Sequence, residues 1–293
     1  MPMAFVNGTR LHYHVEGRGI PLIFIHPPLL NQEIFNYQKA QLSDAFKIIT
    51  FDIRGHGLSD ASPAAVTYPL VVEDMRQLLE HLDVREAVVC GYSTGGGIAL
   101  EAMLAHPQTF TGGILISAMS EASDWYLKGR IRAASGLSRI KAKRLLGGLV
   151  GWGNADMSLT FNNLYKGAVQ GDSRNIRQYY DYSLTYSCTD QLSSIEQPVL
   201  LLYGEEDAAF HRYARMLEAR LPYRDLVFIE KASHQLPTKA PRTMNRIVEQ
   251  WVSRRFGGAA GRPGRAAEEV GTVQVPVSAG DIPPQRTENT QQL

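Results

Sequence analysis

Ser93 lies in the pentapeptide Gly91-Tyr92-Ser93-Thr94-Gly95, which fits the pattern G-x-S-x-G. This pattern places a serine hydroxyl on a tight turn between a strand and a helix. Its glycines let neighbouring backbone come close without a Cβ clash, and the N-terminus of the following helix points at the reacting oxygen. Because an apolar run precedes the pentapeptide and a helical pattern follows it, the sequence predicts Ser93 as a nucleophile.

A serine nucleophile needs a base, and histidine is the side chain whose pKa suits neutral pH. Of the eight histidines, His234 lies in a loop after the last apolar strand. Catalytic groups of an α/β sheet gather at the carboxyl ends of its strands, so His234 is the predicted base. His12 and His14 lie on a predicted hairpin and are interpreted as surface residues.

The base in turn needs a carboxylate that orients it. Asp207 follows the penultimate apolar run and is the predicted partner of His234. Four other carboxylates remain as alternatives by position, namely Glu205, Glu206, Glu121 and Asp124. The chain order Ser, Asp, His is the order of α/β hydrolases.

These residues need a sheet to position them, and apolar runs without polar alternation predict one. Such runs are typical of strands buried on both faces of a parallel sheet, and they occupy residues 21–25, 46–51, 87–90, 113–116, 198–203 and 226–229. Asn7-Gly8 predicts a hairpin before them. Apolar residues spaced three or four apart predict helices over 71–82, 98–105 and 244–251. The expected fold class is therefore α/β, a doubly wound and mostly parallel sheet.

Two segments break this alternation. Residues 121–192 hold no strand-like run but many aromatic residues and helical spacings, which predicts a helical insertion, or cap. Residues 257–293 have few large apolar side chains, and such a composition predicts a disordered tail. The α/β core is then expected to comprise residues 1–120 and 193–256.

The chain resembles the α/β-hydrolase superfamily, in its single-domain esterase, haloperoxidase-like and C–C hydrolase branch. The resemblance covers residues 3 to 256, and four features carry it: Asp52-Ile53-Arg54-Gly55-His56-Gly57-Leu58-Ser59, the turn Gly91 to Gly95, Gly204 with Asp207, and Ser233-His234. It implies the α/β-hydrolase fold with a helical cap over the site. It also implies that the stretch 52–59 is a structural turn near the site.

The resemblance further implies an oxyanion hole, in which this sequence departs from the family pattern. The family reads His-Gly-x after its third strand, and the third residue donates an N–H together with the residue after the nucleophile, here Thr94. This chain has His26-Pro27-Pro28-Leu29, and Pro28 has no N–H to donate. Three outcomes stay open: Leu29 N–H donates instead, a side chain of Tyr92, Thr94 or Asn31 substitutes, or the protein does not hydrolyse acyl groups.

The composition of the chain restricts the classes of partner that it is expected to bind. With 30 basic and 29 acidic residues the net charge is +1, which favours neither nucleic acid nor a membrane. Two cysteines are too few for a disulfide framework, and no secretion leader or membrane span is recognisable, so a cytoplasmic location is expected. No metal or nucleotide motif occurs, so no metal and no cofactor are predicted.

Together the residues predict a serine hydrolase of the carboxylesterase type. It would act on a small, largely apolar ester or related carbonyl compound through an acyl-enzyme, with that small molecule as its partner. One alternative is a ligand-binding signalling protein of the same fold with little turnover. Another is a C–C bond hydrolase or perhydrolase that uses the same three residues. A large apolar face on the cap would also allow a homodimer.

Overall fold

Nine strands form one mostly parallel sheet in the computed structural model, which describes residues 2–139, 142–257, 273–276 and 281. They are β1 (Met3–Val6), β2 (Thr9–Glu16), β3 (Pro21–Ile25), β4 (Lys47–Phe51), β5 (Ala87–Tyr92), β6 (Phe110–Ile116), β7 (Val199–Gly204), β8 (Arg224–Ile229) and β9 (Val273–Val275). The order across the sheet is β1-β2-β4-β3-β5-β6-β7-β8-β9. Only β1 and β2 run antiparallel to their neighbours. The predicted doubly wound, mostly parallel sheet is confirmed.

Helices cover both faces of this sheet. In chain order they are α1 (Asn36–Leu42), α2 (Tyr68–His81), α3 (Gly95–Ala105), α4 (Trp125–Arg139), α5 (Lys143–Asn154), α6 (Ser158–Gln170), α7 (Ser173–Thr185), α8 (Ala208–Arg220), α9 (Leu236–Lys239) and α10 (Pro241–Phe256). Side chains of β3 alternate between two apolar clusters. Ile23 and Ile25 belong to the cluster that includes residues of α2, α3 and α8, and Leu22 and Phe24 belong to the one that includes residues of α1 and α10. A strand buried on both faces needs apolar residues at every position, as the unbroken runs in the sequence predict.

The four helices α4 to α7 lie between β6 and β7, all within the predicted insertion 121–192. Helix α7 attaches this cap to the core, because the Tyr179 hydroxyl donates to the backbone oxygen of His26 at 3.1 Å. Asn175, in the same helix, accepts from the N–H of Ser62 at 2.8 Å and donates to its carbonyl at 3.1 Å. The cap therefore packs on the loops that follow β3 and β4.

The structure describes only a few residues of the predicted tail. Of residues 257–293 the structure describes 257, 273–276 and 281. Val273–Val275 form β9, which pairs parallel with β8. The rest of the predicted disordered tail lies outside the described residues.

Candidate active site

Ser93 occupies the turn between β5 and α3, at the carboxyl end of a central strand. Its φ is +54°, a left-handed conformation that a residue with a Cβ rarely adopts. The turn is held by Ser93 N–H, which donates to Ile116 O at 2.8 Å, and by Gly96 N–H, which donates to Ser93 O at 2.9 Å. A Cβ added at Gly95 would lie 2.5 Å from Ile25 O, so only glycine fits the close approach of α3 to β3.

His234 stands between the other two predicted residues. Its Nδ1 lies 2.7 Å from Asp207 Oδ2, and its Nε2 lies 3.1 Å from Ser93 Oγ. A carboxylate only accepts hydrogen bonds, so Nδ1 carries the proton and Nε2 is free to accept from the serine hydroxyl. The loops after β5, β7 and β8 thus bring together three side chains that are up to 141 residues apart in sequence.

The alternative carboxylates are engaged elsewhere. Glu205 accepts from the N–H of Lys231 at 3.1 Å, and Glu121 accepts from the Ser187 hydroxyl at 2.8 Å. Asp124 accepts from the N–H of Leu127 at 2.8 Å and from the Tyr213 hydroxyl. Glu206 is exposed. Asp207 is the carboxylate that reaches the imidazole.

Apolar rings border the imidazole of His234. The Phe210 ring centroid lies 4.3 Å from that of His234, and the Tyr92 ring centroid lies 5.6 Å away. The Tyr92 hydroxyl donates to Asn154 Oδ1 of the cap at 2.9 Å. Burial, and then the charge of Asp207, raise the pKa of Tyr92, so its hydroxyl stays protonated. Tyr92 therefore links the imidazole to the cap, and its proton is directed to Asn154.

The loop after β3 holds the proline that departs from the family pattern. Pro28 and Leu29 form a turn in which Leu29 has a φ of +70°. The Tyr180 hydroxyl of the cap donates to Pro28 O at 3.4 Å, which holds the Pro28–Leu29 peptide in one orientation. Among the described residues, neither the Leu29 N–H nor the Thr94 N–H has a backbone acceptor. Asn31 lies against Gly167 of α6.

A buried polar network beside the site was missed by the sequence analysis. His12 is buried rather than exposed, and its Nδ1 lies 2.8 Å from Asp52 Oδ2. Asp52 also accepts from the N–H groups of Gln32 at 2.8 Å and Leu58 at 2.9 Å. Burial alone raises the pKa of Asp52, but these hydrogen bonds, with the one from His12 the largest, lower it on balance. The network fixes the 52–59 turn, as the resemblance implies.

The aromatic side chains of the cap divide into two groups. Tyr179 and Tyr180 are buried and reach the loop after β3. Trp125 and Trp152 are exposed, so neither packs in the core or roofs the serine. The sequence does not distinguish these two groups. The helical spacing of the aromatic residues does not show which face of each helix is covered by other residues.

Two further observations concern ligands and membranes. Within the part of the chain that the structure describes, no three His, Cys, Asp or Glu side chains come together in a way that could hold a metal ion. Among the same residues, no helix combines the length and the apolar character needed to cross a lipid bilayer.

Comparisons with known proteins agree with this fold. The family model of the alpha/beta hydrolase fold matches residues 20–237, and the chain therefore belongs to the α/β hydrolase fold family. It is 25% identical to 3-oxoadipate enol-lactonase 2 of Acinetobacter baylyi, over 80% of this chain and 89% of that protein. It is 29% identical to a non-heme chloroperoxidase of Streptomyces lividans, over 69% of this chain and 80% of that protein. An esterase of Exiguobacterium antarcticum has a similar structure, with a TM-score of 0.78 and 21% identity over 86% of this chain and 98% of the other.

Proposed function

We propose that this protein is a serine hydrolase that cleaves a small, largely apolar ester or related carbonyl compound through an acyl-enzyme. The observation that carries the proposal is the row of side chains in which His234 lies 2.7 Å from Asp207 and 3.1 Å from Ser93. Nucleophile, base and orienting carboxylate at such distances are the arrangement that activates a serine. Membership of the α/β hydrolase family supports the same reaction class.

In the first half-reaction Ser93 Oγ attacks the substrate carbonyl carbon while its proton passes to His234 Nε2. Asp207 stabilises the imidazolium that forms and keeps the ring in the productive tautomer. The tetrahedral intermediate then collapses, the bond to the leaving alcohol breaks, and His234 gives that alcohol its proton. In the second half-reaction water attacks the acyl-enzyme, loses its proton to His234, and releases the acid with Ser93 restored.

The negative oxygen of the tetrahedral intermediate needs donors. Thr94 N–H follows the nucleophile at the start of α3, where the helix dipole favours negative charge. We assign the second donation to Leu29 N–H, because Pro28 has none and Tyr180 fixes the peptide between them. Loss of one such donor costs a factor of about 10² to 10³ in rate, so a working second donor matters.

The surroundings of the triad favour an apolar acyl or alcohol group. Phe210 and the ring of Tyr92 flank His234. Ser93 itself is half-buried. Two of the similar proteins are named as an esterase and an enol-lactonase, and esters and lactones are carbonyl compounds.

The experiment is labelling with a fluorophosphonate, followed by intact mass. This reagent needs an activated serine and an oxyanion hole but no knowledge of the substrate. We expect a single adduct on the wild-type protein and none on Ser93→Ala. Ser233→Ala is the matched control, because Ser233 precedes His234 but its hydroxyl donates to Gln235 at 3.0 Å. That variant should label like the wild type.

Two outcomes would overturn the proposal. An adduct that persists on Ser93→Ala would place the nucleophile elsewhere. A folded wild-type protein that resists labelling and turns over no ester or lactone would instead favour the ligand-binding alternative, in which the same site binds a small molecule without cleaving it.

A further inference from the structure

Helix α5 presents its largest apolar side chains to solvent. Leu145, Leu149 and Trp152 are 60%, 60% and 73% exposed. They are spaced four and three residues apart, so they lie along one side of the helix. We name these three residues the α5 face.

The buried side of α5 carries Gly147 and Gly151 beside Leu146. A Cβ added at Gly147 would lie 3.1 Å from the Ala168 side chain, and one at Gly151 would lie 3.6 Å from Phe161. Both contacts belong to α6, so α5 packs on α6 through glycines. A surface helix of a soluble protein ordinarily turns its apolar stripe to the core. Helix α5 buries Leu146 in this way but leaves the Leu145, Leu149 and Trp152 side chains in solvent, which indicates that something else covers the α5 face.

Further exposed apolar residues cluster in the same part of the chain. Among the described residues, the exposed large apolar side chains between 125 and 159 are Trp125, Tyr126, Leu145, Leu149, Trp152, Met157 and Leu159. Single exposed apolar residues are ordinary, but a concentration in one segment marks an interaction surface.

The charges of this segment identify the occupant. Residues 125–154 contain seven of the 30 basic residues and none of the 29 acidic ones. Arg144 is exposed next to Leu145, and Arg130 and Arg132 are exposed on α4. Two copies of the chain meeting through this face would set identical positive segments against each other. A surface that is both apolar and negatively charged complements the segment.

We propose that the α5 face, together with the exposed Arg130, Arg132 and Arg144, binds the surface of an anionic lipid bilayer. Leucine and tryptophan side chains with adjacent arginines are typical of helices that lie in the interface between headgroups and acyl chains. The helix remains in the plane of the surface, with its apolar side chains inserted and Arg144 at the lipid phosphates. The C-terminal residue of α5 is Asn154, which bonds Tyr92 beside the candidate triad. The helix that contacts the lipid is therefore the one whose last residue lies beside the candidate triad.

The test is flotation of the full-length protein with vesicles of phosphatidylcholine alone or mixed with phosphatidylglycerol. We expect binding to the mixed vesicles that weakens as salt is raised. The double variant Leu149→Ser/Trp152→Ser should bind these vesicles with an affinity about tenfold or more below that of the wild type, because its apolar side chains no longer insert. Phe5→Ser removes another exposed aromatic residue, on β1, and should bind like the wild type.

The charge contribution has its own matched pair. Arg144→Glu should weaken binding to the mixed vesicles several-fold, whereas Arg220→Glu, an identical change at the exposed end of α8, should not. In a Trp125→Phe background, the emission of Trp152 should be quenched by lipids brominated on their acyl chains, because Trp251 is buried. Quenching of this kind requires that Trp152 enter the acyl-chain region. It would not occur if Trp152 only stabilised the fold.

Three results would overturn the proposal. The first is absence of binding to either kind of vesicle, and the second is equal binding by the wild type and the double variant. The third is a dimer in sedimentation equilibrium that the double variant abolishes, which would give the α5 face to a second copy. Ser93→Ala should bind vesicles like the wild type, so a failure of the proposed enzymatic function leaves this test unaffected.

Discussion

The position of His234 is fixed by backbone and ring contacts with residues that take no part in the proposed reaction. Its backbone oxygen accepts from the Ser117 hydroxyl at 3.1 Å and from the N–H of Leu236 at 3.0 Å. Its ring is bordered by Phe210 and Tyr92. An imidazole held in this way loses little freedom when it accepts the serine proton, so the remaining requirement is the correct tautomer. Asp207 supplies that requirement, which makes it the residue whose chemistry can be tested most directly.

Asp207→Asn should lower the rate constant for ester hydrolysis by a factor on the order of 10⁴. The amide keeps the shape of the carboxylate, but it does not stabilise the imidazolium, and its NH₂ group favours the wrong tautomer. The measurement is steady-state hydrolysis of a chromogenic short-chain ester, with circular dichroism to show that the fold is kept.

Glu206→Gln is the matched control, because the same change is made one residue earlier on an exposed side chain. Its rate should stay within about twofold of the wild type, since surface substitutions away from the site have small effects. Equal losses in the two variants would show that Asp207 does not act through His234.

A second prediction at this scale concerns His56, a buried histidine that the reaction does not use. Burial, and then the nearby charge of His26, lower the pKa of His56 to about 3. In the unfolded chain the pKa of histidine is about 6.5, so between these values the unfolded state binds a proton that the folded state does not. The free energy of unfolding should therefore fall as the pH drops from 6.5 towards 3, by up to about 1.4 kcal/mol per pH unit for this group.

The check is urea unfolding of the wild type and of His56→Gln at several pH values in that range. The variant should show a shallower dependence of the free energy of unfolding on pH. His14→Gln, at a partly exposed position on β2, should keep the slope of the wild type. A slope unchanged in His56→Gln would mean that the folded protein protonates His56 as readily as the unfolded chain does.

At the scale of elements, the sequence predicts most of what positions the triad. The unbroken apolar runs predict the parallel strands, because a strand covered on both faces has no polar side. The turn around Ser93 is predicted because its glycines are required by close backbone contacts, at Gly95 with Ile25 O. These are local constraints, and a short stretch of sequence records them.

The features that the sequence does not predict depend on contacts between distant segments. His12 is on a hairpin strand whose pattern suits an exposed position, but Asp52 and Gln32 from two other loops enclose it. The same holds for β9, a three-residue strand that forms because β8 offers an edge. Neither partner is visible in the local pattern, since pairing of this kind is a tertiary effect.

Two glycine-to-alanine substitutions should have opposite effects on stability. Gly95→Ala forces a Cβ against Ile25 O at 2.5 Å, and we expect it to lower the free energy of unfolding by about 1 to 3 kcal/mol or more. Gly136→Ala, in α4, meets nothing within 4 Å. It should raise the stability of the cap by about 0.5 to 1 kcal/mol, because alanine loses less backbone entropy in a helix.

Both effects can be measured by guanidinium unfolding, followed by far-ultraviolet circular dichroism for the whole chain. The comparison isolates the cause, because the same methyl group is added in both variants. If Gly95→Ala proved as stable as the wild type, α3 would be able to move away from β3. The close approach would then not be what requires glycine at the end of G-x-S-x-G.

At the scale of the whole molecule, the net charge of +1 conceals an uneven distribution. Residues 125–154 carry seven basic side chains, which leaves 23 basic residues against 29 acidic ones in the rest of the chain. Long-range fields follow the local arrangement of charge, so a balanced total does not exclude an anionic partner. The expectation of no membrane partner used the total, whereas the proposal for the α5 face uses the segment.

The described residues of the tail contact two elements of the core, because β9 pairs with β8 and Asp281 bonds the start of α10. Asp281 Oδ1 accepts from the N–H of Arg242 at 2.8 Å, and its Oδ2 accepts from the N–H of Thr243 at 2.8 Å. These N–H groups belong to the first turn of α10, which has no partner within the helix for them. Asp281 therefore acts as a cap supplied from outside the helix, and its charge is favourable at that end.

Asp281→Ala should lower the free energy of unfolding by about 0.5 to 2 kcal/mol, the usual cost of losing a helix cap. Asp44→Ala makes the same change of charge at an exposed site after α1 and should have a smaller effect, within about 0.5 kcal/mol. Urea unfolding of both variants gives the comparison. Equal stabilities would show that the contact with α10 adds nothing to folding. A loss confined to Asp281→Ala would show that this part of the tail stabilises the helix that covers one face of the sheet.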